Sequence, residues 1–385
     1  MILTINGGSS SIKFSLFNES LEEKLKGKID RIGMGDSLLT YTGQKNKFPV
    51  KAVDLKEATD SLIDWLEKQK IFGQVRAIGH RIVHGMERNK PAIIDAELIA
   101  ALKDIIQYDP DHLPEEVELI EAFRAHLPGL PQVACFDTAF HAGLPRIAQL
   151  LPIPRRFDEA GIRRYGFHGL SYAYLMGKLT EIAGTKAAKG RIILAHLGSG
   201  ASLAAVKEGK SIDTSMGFTP VGGIMMGSRP GDLDPGTAWF MIQKEKLSAA
   251  QFNDLINHQS GLIGVSETSS DIQDLLKNEQ TDKRAAEAVG LFCYQVKKWI
   301  GAFSAVLGGL DTLVFSGGIG ENSAVIRSRI CQGLEFLGID LEETRNNNNE
   351  RLISPDTATV RTYAIPTDEE WMIAKTVAGL LGFNQ

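Results

Sequence analysis

Short apolar runs broken by glycine and serine open the chain. Residues 2–5 form a mostly apolar run, residues 6–11 are rich in glycine and serine, and Ile12, Phe14 and Leu16 then alternate with Lys13, Ser15 and Phe17. This pattern predicts a β-hairpin with residues 6–11 as its turn. Leu55, Ala58, Leu62 and Trp65 share one face of a helix predicted over 55–68. Residues 75–83 read as a buried strand ending at His84-Gly85, and 133–136 as a short strand ending at Asp137. The opening pattern returns in mid-chain. An apolar run at 192–195 leads into His196-Leu197-Gly198-Ser199-Gly200-Ala201-Ser202 and a returning strand at 203–206. Gly7 and Ser11 match Gly198 and Ser202 in register, which points to two related half-folds.

Farther along, Val289, Phe292, Cys293, Val296, Ile300, Phe303 and Leu307 form an i, i+3, i+4 stripe. A long helix over Lys283–Leu307 follows, stopped by Gly308-Gly309. A strand at 312–315 leads to a third glycine turn, Ser316-Gly317-Gly318-Ile319-Gly320-Glu321-Asn322, ahead of another helix. The four asparagines at 346–349 read as a polar surface loop.

Length and composition narrow the function classes. With 385 residues, two domains are the default, and 43% hydrophobic with 23% charged residues is ordinary for a soluble globular protein. The net charge of −5 comes without a basic block, which argues against a nucleic-acid footprint. Cys135, Cys293 and Cys331 are far apart in apolar surroundings, with no metal-type spacing, so buried reduced thiols are expected. No signal peptide or spanning stretch is visible, and a cytoplasmic protein is the expectation.

Phosphate oxygens need several backbone N–H donors converging on them, and a Cβ blocks that approach. Asn6-Gly7-Gly8-Ser9-Ser10-Ser11 adds hydroxyls and Lys13 a cation, but no Gly-Lys-Ser/Thr opens a helix, so it is not a Walker A loop. Any one such turn is more often a plain turn. Three of them, each directly after an apolar strand, together favour phosphate.

The motifs are more specific than the turns. Ile5-Asn6-Gly7-Gly8-Ser9-Ser10-Ser11-Ile12-Lys13 closely resembles the opening signature of the acetokinase family (acetate, propionate and butyrate kinases). Gly79-His80-Arg81-Ile82-Val83-His84-Gly85, Phe136-Asp137-Thr138-Ala139-Phe140-His141 and Arg164-Tyr165-Gly166-Phe167-His168-Gly169 resemble further blocks. So do His196-Leu197-Gly198-Ser199-Gly200, Met226-Gly227-Ser228-Arg229-Pro230-Gly231-Asp232, the third glycine turn, and Pro366-Thr367-Asp368-Glu369-Glu370. The blocks span the chain in the family's order.

The resemblance implies an α/β, two-domain actin/Hsp70/sugar-kinase (ribonuclease H-like) fold with duplicated halves and ATP in the interdomain cleft. An N-terminal domain of 1–137 plus 371–385 and a nucleotide-binding domain of 138–370 would follow, usually in a homodimer. The implied reaction is reversible transfer of the γ-phosphate of ATP to a short acid by in-line attack of the carboxylate. Acetate is favoured, with propionate or butyrate, or a donor other than ATP, as alternatives.

Two anions must meet in such a site, so fixed cations are needed. Arg81 and Arg229 lie in apolar, glycine-rich segments and could equally be structural ion pairs. The resemblance implies that Arg81 holds the acid and Arg229 the transferring phosphoryl group. A lone histidine is usually packed or surface-exposed. By resemblance His168 donates to the phosphoryl in transit, and His196, with Leu197, Gly198, Ser199 and Gly200, to ATP phosphate. His112 resembles a family histidine near the substrate, though its neighbours depart from His-Asn-Pro-Pro. His80 and His84 are four apart but sit in strand-like sequence, so a zinc pair is disfavoured.

Asp137 matches the family's active-site acid. A carboxylate acceptor is already deprotonated at neutral pH, so orienting Mg²⁺ through water or fixing a neighbouring arginine suits Asp137 better than a base role. Asn6 and Glu369 match the family's Mg²⁺ positions (Mn²⁺ as a substitute), with Glu370 competing. Asp271, Ile272 and Gln273 resemble a nucleoside-contacting segment, and Gly318, Ile319, Gly320, Glu321 and Asn322 an adenosine-binding one. Gln273 stands where the family usually has Arg, and Ser199 where it has Asn, so two familiar nucleotide contacts are altered. Val83, Phe167 and Pro220 match the apolar wall around the substrate methyl, and Val83 leans toward acetate. A sugar or polyol kinase, or an actin- or Hsp70-like binding module, are the competing classes.

Overall fold

Apolar strands separated by long helical stretches can bury both faces only if helices cover each side of a sheet. The computed structural model describes residues 1–8, 11–43 and 47–383, and it divides into two compact units, Met1–Ala142 with Asp368–Gln385, and Gly143–Thr367. The breaks lie at 142/143 and 367/368, rather than at 137/138 and 370/371, so Glu369 and Glu370 fall in the first unit.

In the first unit the strands are β1 (Ile2–Gly8), β2 (Ser11–Phe17), β3 (Glu23–Asp30), β4 (Leu38–Tyr41), β5 (Phe48–Pro49), β6 (Ala77–Ile82), β7 (Ala92–Ile93) and β8 (Gln132–Phe136). Among the described residues they form one sheet in the order β5-β4-β3-β2-β1-β6-β8-β7. Helices α1 (Leu55–Glu67) and α2 (Leu113–His126) pack together, and α2 covers β1 and β6. The terminal helix, Glu369–Leu381, also packs on β1 and β6. Leu3, Ile5, Ile78, Leu119 and Phe123 share the core beneath α2. Strand alternation therefore sends His80 toward α2 and its neighbour Arg81 to the opposite face. His80 stacks edge-on against Phe123 of α2, at 5.7 Å between centroids.

The second unit contains β9 (Arg191–Leu197), β10 (Ala201–Lys207), β11 (Lys210–Thr214), β12 (Thr312–Ser316) and β13 (Arg361–Ala364). Its helices include α3 (Gly169–Ala188), α4 (Pro235–Glu245), α5 (Gly261–Ser266), α6 (Ile272–Asn278), α7 (Lys283–Leu307), α8 (Gly317–Asn322), α9 (Ala324–Cys331) and α10 (Glu343–Asn347). Its sheet runs β11-β10-β9-β12-β13. The inner strands of the first sheet, β3-β2-β1-β6-β8, repeat this order, with two antiparallel pairings followed by two parallel ones in each unit. The duplication is one of topology.

Several expectations need correction. Gly7 and Gly8 lie in β1 and Ser11 in β2, with Gly8 opposite Ser11, so the first turn is shorter than 6–11; Ser9 and Ser10 lie outside the described residues. In the second hairpin His196 and Leu197 belong to β9, and Ala201 and Ser202 to β10. Gly7 is therefore a paired strand residue while Gly198 is in a turn, and their register match is not kept. The third glycine turn is mostly helix α8, because Gly317 at φ 75° lets the chain coil directly off β12. Residues 346–349 are not a surface loop throughout: Asn346 is buried at the end of α10.

Candidate functional site

In the first unit Arg81 rises from β6 on the face covered by the terminal helix. Its Nε and Nη2 donate to Asp137 Oδ2 at 3.1 and 2.5 Å, and Nη1 donates to Asn6 Oδ1 at 3.2 Å. Burial alone would lower the Arg81 pKa, but the carboxylates of Asp137, Glu369 and Glu116 outweigh it and hold the guanidinium charged. Asn6 Nδ2 donates to Glu369 Oε2 and Glu370 Oε1, both at 3.2 Å. Glu370 is buried and Glu369 half-buried, both in the first turn of the terminal helix, where backbone N–H groups favour negative charge. Of the two parts expected of Asp137, bonding to a neighbouring arginine is the one seen here.

Glu369 beside Asn6 brings hard oxygen atoms together, the donor chemistry that Mg²⁺ uses while keeping most of its water. Among the described residues no three His, Cys, Asp or Glu side chains gather as a closed metal cage. His80 Nε2 bonds Gln132 Oε1 at 2.7 Å, and burial pulls its pKa down to about 4. His84 Nδ1 accepts from the Met86 N–H. Lys13 is exposed on β2, opposite Asn6.

Val83 is buried just past β6, and its N–H donates to both oxygens of Glu116 at 3.0 Å. Sequence reasoning missed Glu116. Burial, with Asp109 nearby, raises its pKa well above the usual carboxylate range. His112 Nδ1 bonds Asp109 Oδ1 at 2.8 Å.

In the second unit His168 caps α3 in the left-handed region, at φ 58° and ψ 26°. That conformation is strained for a residue with a Cβ, and strain of this kind gathers at functional positions. It brings the ring of His168 over that of His196, with centroids 4.3 Å apart and planes 23° from parallel. Both Nε2 atoms face the turn Gly198-Ser199-Gly200. A Cβ at Gly200 would sit 3.3 Å from His168 Nε2, and one at Gly198 would sit 3.8 Å from His196 Nε2. Glycine there keeps a side chain of the turn from crowding either nitrogen.

The start of α8 adjoins the same turn, since a Cβ at Gly198 would also lie 3.8 Å from the Gly318 N. Gly317 could carry no side chain, because its Cβ would meet the Leu197 carbonyl at 2.6 Å. Glu321 Oε1 accepts from the backbone N–H of Gly317 and of Thr367, each at 2.9 Å, and Asn322 Nδ2 donates to the Gly318 carbonyl. Gly318 is exposed, with Ile319 half-buried beside it and Gly320 buried. The far end of α8 is clamped by Arg327, whose Nη1 donates to the Gly320 and Glu321 carbonyls at 2.8 and 2.9 Å.

Arg229 is half-buried on a loop that the N–H groups opening α5 hold in place. Leu262 and Ile263 donate to the Met226 and Gly227 carbonyls, which satisfies amides a helix start leaves unbonded. Gly227 N in turn donates to the Ser199 carbonyl, fixing the loop to the glycine turn. Arg229 Nη1 donates to the Pro220 carbonyl at 2.8 Å. Phe167 is buried beside His168 in sequence. Asp271 caps α6 by accepting from the Gln273 N–H at 2.8 Å; Asp271 and Gln273 are exposed, while Ile272 is buried in the core.

Cys135, Cys293 and Cys331 are buried free thiols, with burial pushing Cys293 up to about 11 and Cys331 up to about 12. No described helix is long and apolar enough to cross a membrane.

The model of the acetokinase family matches residues 1–375. An acetate kinase of Carboxydothermus hydrogenoformans is 43% identical over 394 residues, covering 99% of each chain. A propionate kinase of Citrobacter rodentium is 43% identical over 385 residues, covering 98% of this chain and 96% of that one. The crystal structure of Porphyromonas gingivalis acetate kinase aligns with a TM-score of 0.88 at 37% identity, across 99% of both chains. With the match running through both units, the chain belongs to the acetokinase family.

Proposed function

We propose that this chain catalyses reversible phosphoryl transfer from ATP to acetate, giving acetyl phosphate and ADP, with propionate as a side substrate. The observation that carries this reading is the stacked pair His168 and His196, with both Nε2 atoms facing a glycine turn beside α8. In this reading Arg81, oriented by Asp137 and Asn6, holds the acid's carboxylate bidentately. A carboxylate oxygen attacks the γ-phosphorus in line; the new O–P bond forms as the β–γ bridging O–P bond breaks, and ADP leaves with the electron pair. No base is needed, because the acid is already ionised near pH 7. Arg229 and His168 donate to the equatorial oxygens, where charge collects in a loose transition state. His196 and the amides of the 198–200 turn hold ATP phosphate, and α8 with Asp271 and Gln273 holds the nucleoside. Lys13 adds a cation for phosphate.

Glu369 with Asn6 would hold Mg²⁺, which when bound neutralises charge on the β- and γ-phosphates. Val83, Phe167 and Pro220 wall the methyl. We place the reaction in the cytoplasm and the chain in a homodimer. The dimer draws support from α4, which buries no residue and leaves Trp239 and Phe240 65% and 59% exposed.

Incubation with ATP, Mg²⁺, acetate and hydroxylamine is expected to yield acetyl hydroxamate. Absence of product with acetate, propionate and butyrate alike would end this reading, and a sugar panel read by ADP release would then test the sugar-kinase alternative.

A further inference from the structure

A neutral imidazole donates from one nitrogen only, and the partner of the other nitrogen decides which. His168 Nδ1 lies 2.9 Å from Ser202 Oγ, and Ser202 Oγ also bonds the Tyr172 hydroxyl; Ser202 and Tyr172 are fully buried. His196 Nδ1 lies 2.8 Å from Ser171 Oγ, which in turn lies 2.8 Å from Thr367 Oγ1. Thr367 is anchored through its N–H to Glu321, the carboxylate that also holds the start of α8. Two separate hydroxyl chains thus end on the Nδ1 atoms of the two stacked rings.

We propose that Ser202 and Ser171 are positioning residues that lock His168 and His196 in the Nε2–H tautomer. Both rings then present an N–H donor at the glycine turn. One proton order satisfies every hydroxyl in each chain and leaves both Nε2 atoms protonated. Tyr172 donates to Ser202 and Ser202 to His168 Nδ1; Thr367 donates to Ser171 and Ser171 to His196 Nδ1. The opposite tautomer would turn lone pairs toward an incoming phosphate and repel it. This inference rests on the proposed phosphate role of the two histidines and extends it to the residues behind them. It also links the phosphate-facing ring of His196 to α8 through Ser171, Thr367 and Glu321.

Nitrogen chemical shifts of ¹⁵N-histidine-labelled protein near neutral pH, without nucleotide, test the assignment directly. Both rings are expected to show an unprotonated Nδ1 and a protonated Nε2. Ser202→Ala should mix the tautomers of His168 and lower kcat roughly tenfold, with KM for ATP and acetate within about twofold. Ser202→Thr, which keeps a hydroxyl, should restore both readouts. Tyr172→Phe should move them the same way by less, and it serves if Ser202→Ala does not fold. A protonated Nδ1 in either ring of the unaltered protein, or a Ser202→Ala variant with unchanged shifts, overturns the proposal. A chain making no acyl phosphate would overturn the reaction instead, and the shifts would still decide the tautomers.

Discussion

Arg81 and Arg327 are both largely withdrawn from solvent, and they are held in opposite ways. Arg81 keeps 18% side-chain exposure and sits against Asp137, with Glu369 and Glu116 near enough to raise its pKa. Three of its five N–H groups bond described residues. Arg327 has no exposure at all, and its five N–H groups meet five neutral oxygens: Asn346 Oδ1 and carbonyl, the Gly320 and Glu321 carbonyls, and Asn349 Oδ1. Burial without a carboxylate pulls its pKa down to about 10. A guanidinium saturated by neutral oxygens is a brace for the backbone. Arg81, with its charge balanced by carboxylates and two of its N–H groups outside these three bonds, suits the anion-binding part proposed for it. The sequence left a structural ion pair and an anion-binding role both open for Arg81; the ion pair with Asp137 is the part seen here, and anion binding is the part proposed.

The largest effect expected from breaking this contrast is at the brace. Arg327→Met should remove about 3–5 kcal/mol of stability, since five oxygens lose their donor inside the second unit. Denaturant melts measure it. The KM for acetate should hold steady, while the KM for ATP rises because the end of α8 loosens. A variant as stable as the parent would show that the five bonds do not brace α8.

Next come the arginines assigned to anions. Arg229→Ala should lower kcat about 10²-fold or more, through loss of one clamp on developing charge. Arg81→Ala should chiefly raise the KM for acetate, by roughly tenfold or about 1.4 kcal/mol. It also removes the cation bonded to the buried carboxylate of Asp137, so adding Asp137→Asn should recover part of the lost stability without recovering KM. Steady-state kinetics beside thermal melts separate the two terms. If Arg229→Ala changed only acid affinity, the jobs of the two arginines would have to be exchanged.

What could be read along the chain was what local pattern encodes. Helix α7 falls over Lys283–Leu307 as its stripe predicts, because the Asp282 cap and Gly308 in the left-handed region mark both ends. Turn lengths were not legible. Gly7 and Gly8 disfavour strands locally, yet pairing to Ser11 and Ile12 overrides that preference. The asparagine run looked like a solvated loop because the partner that buries Asn346, Arg327, lies 19 residues away. The same limit applies to the site. Arg81 and Asn6 meet across 75 residues, and Ser171 and Thr367 across 196. Motif resemblance drew attention to Arg81, Asn6 and both histidines. It said nothing of Ser171 or Ser202 as their supports, although Ser202 closes a quoted turn and Thr367 stands inside a quoted block.

The finest test concerns Val83, proposed for the wall around the substrate methyl. Val83 is 2% exposed, and its place is set by a main-chain bond, the N–H shared between both oxygens of Glu116 at 3.0 Å. Because the backbone makes that bond, Val83→Ala should keep the strand end in position while removing two methyl groups from the wall. A methylene is worth about 0.8 kcal/mol when buried, so the kcat/KM ratio of propionate to acetate should rise about fourfold for each methylene newly accommodated. Arg81 would still hold the carboxylate, so the change should appear in this ratio far more than in kcat for acetate. Side-by-side kinetics with acetate, propionate and butyrate measure it. An unchanged ratio would take Val83 out of acid selection.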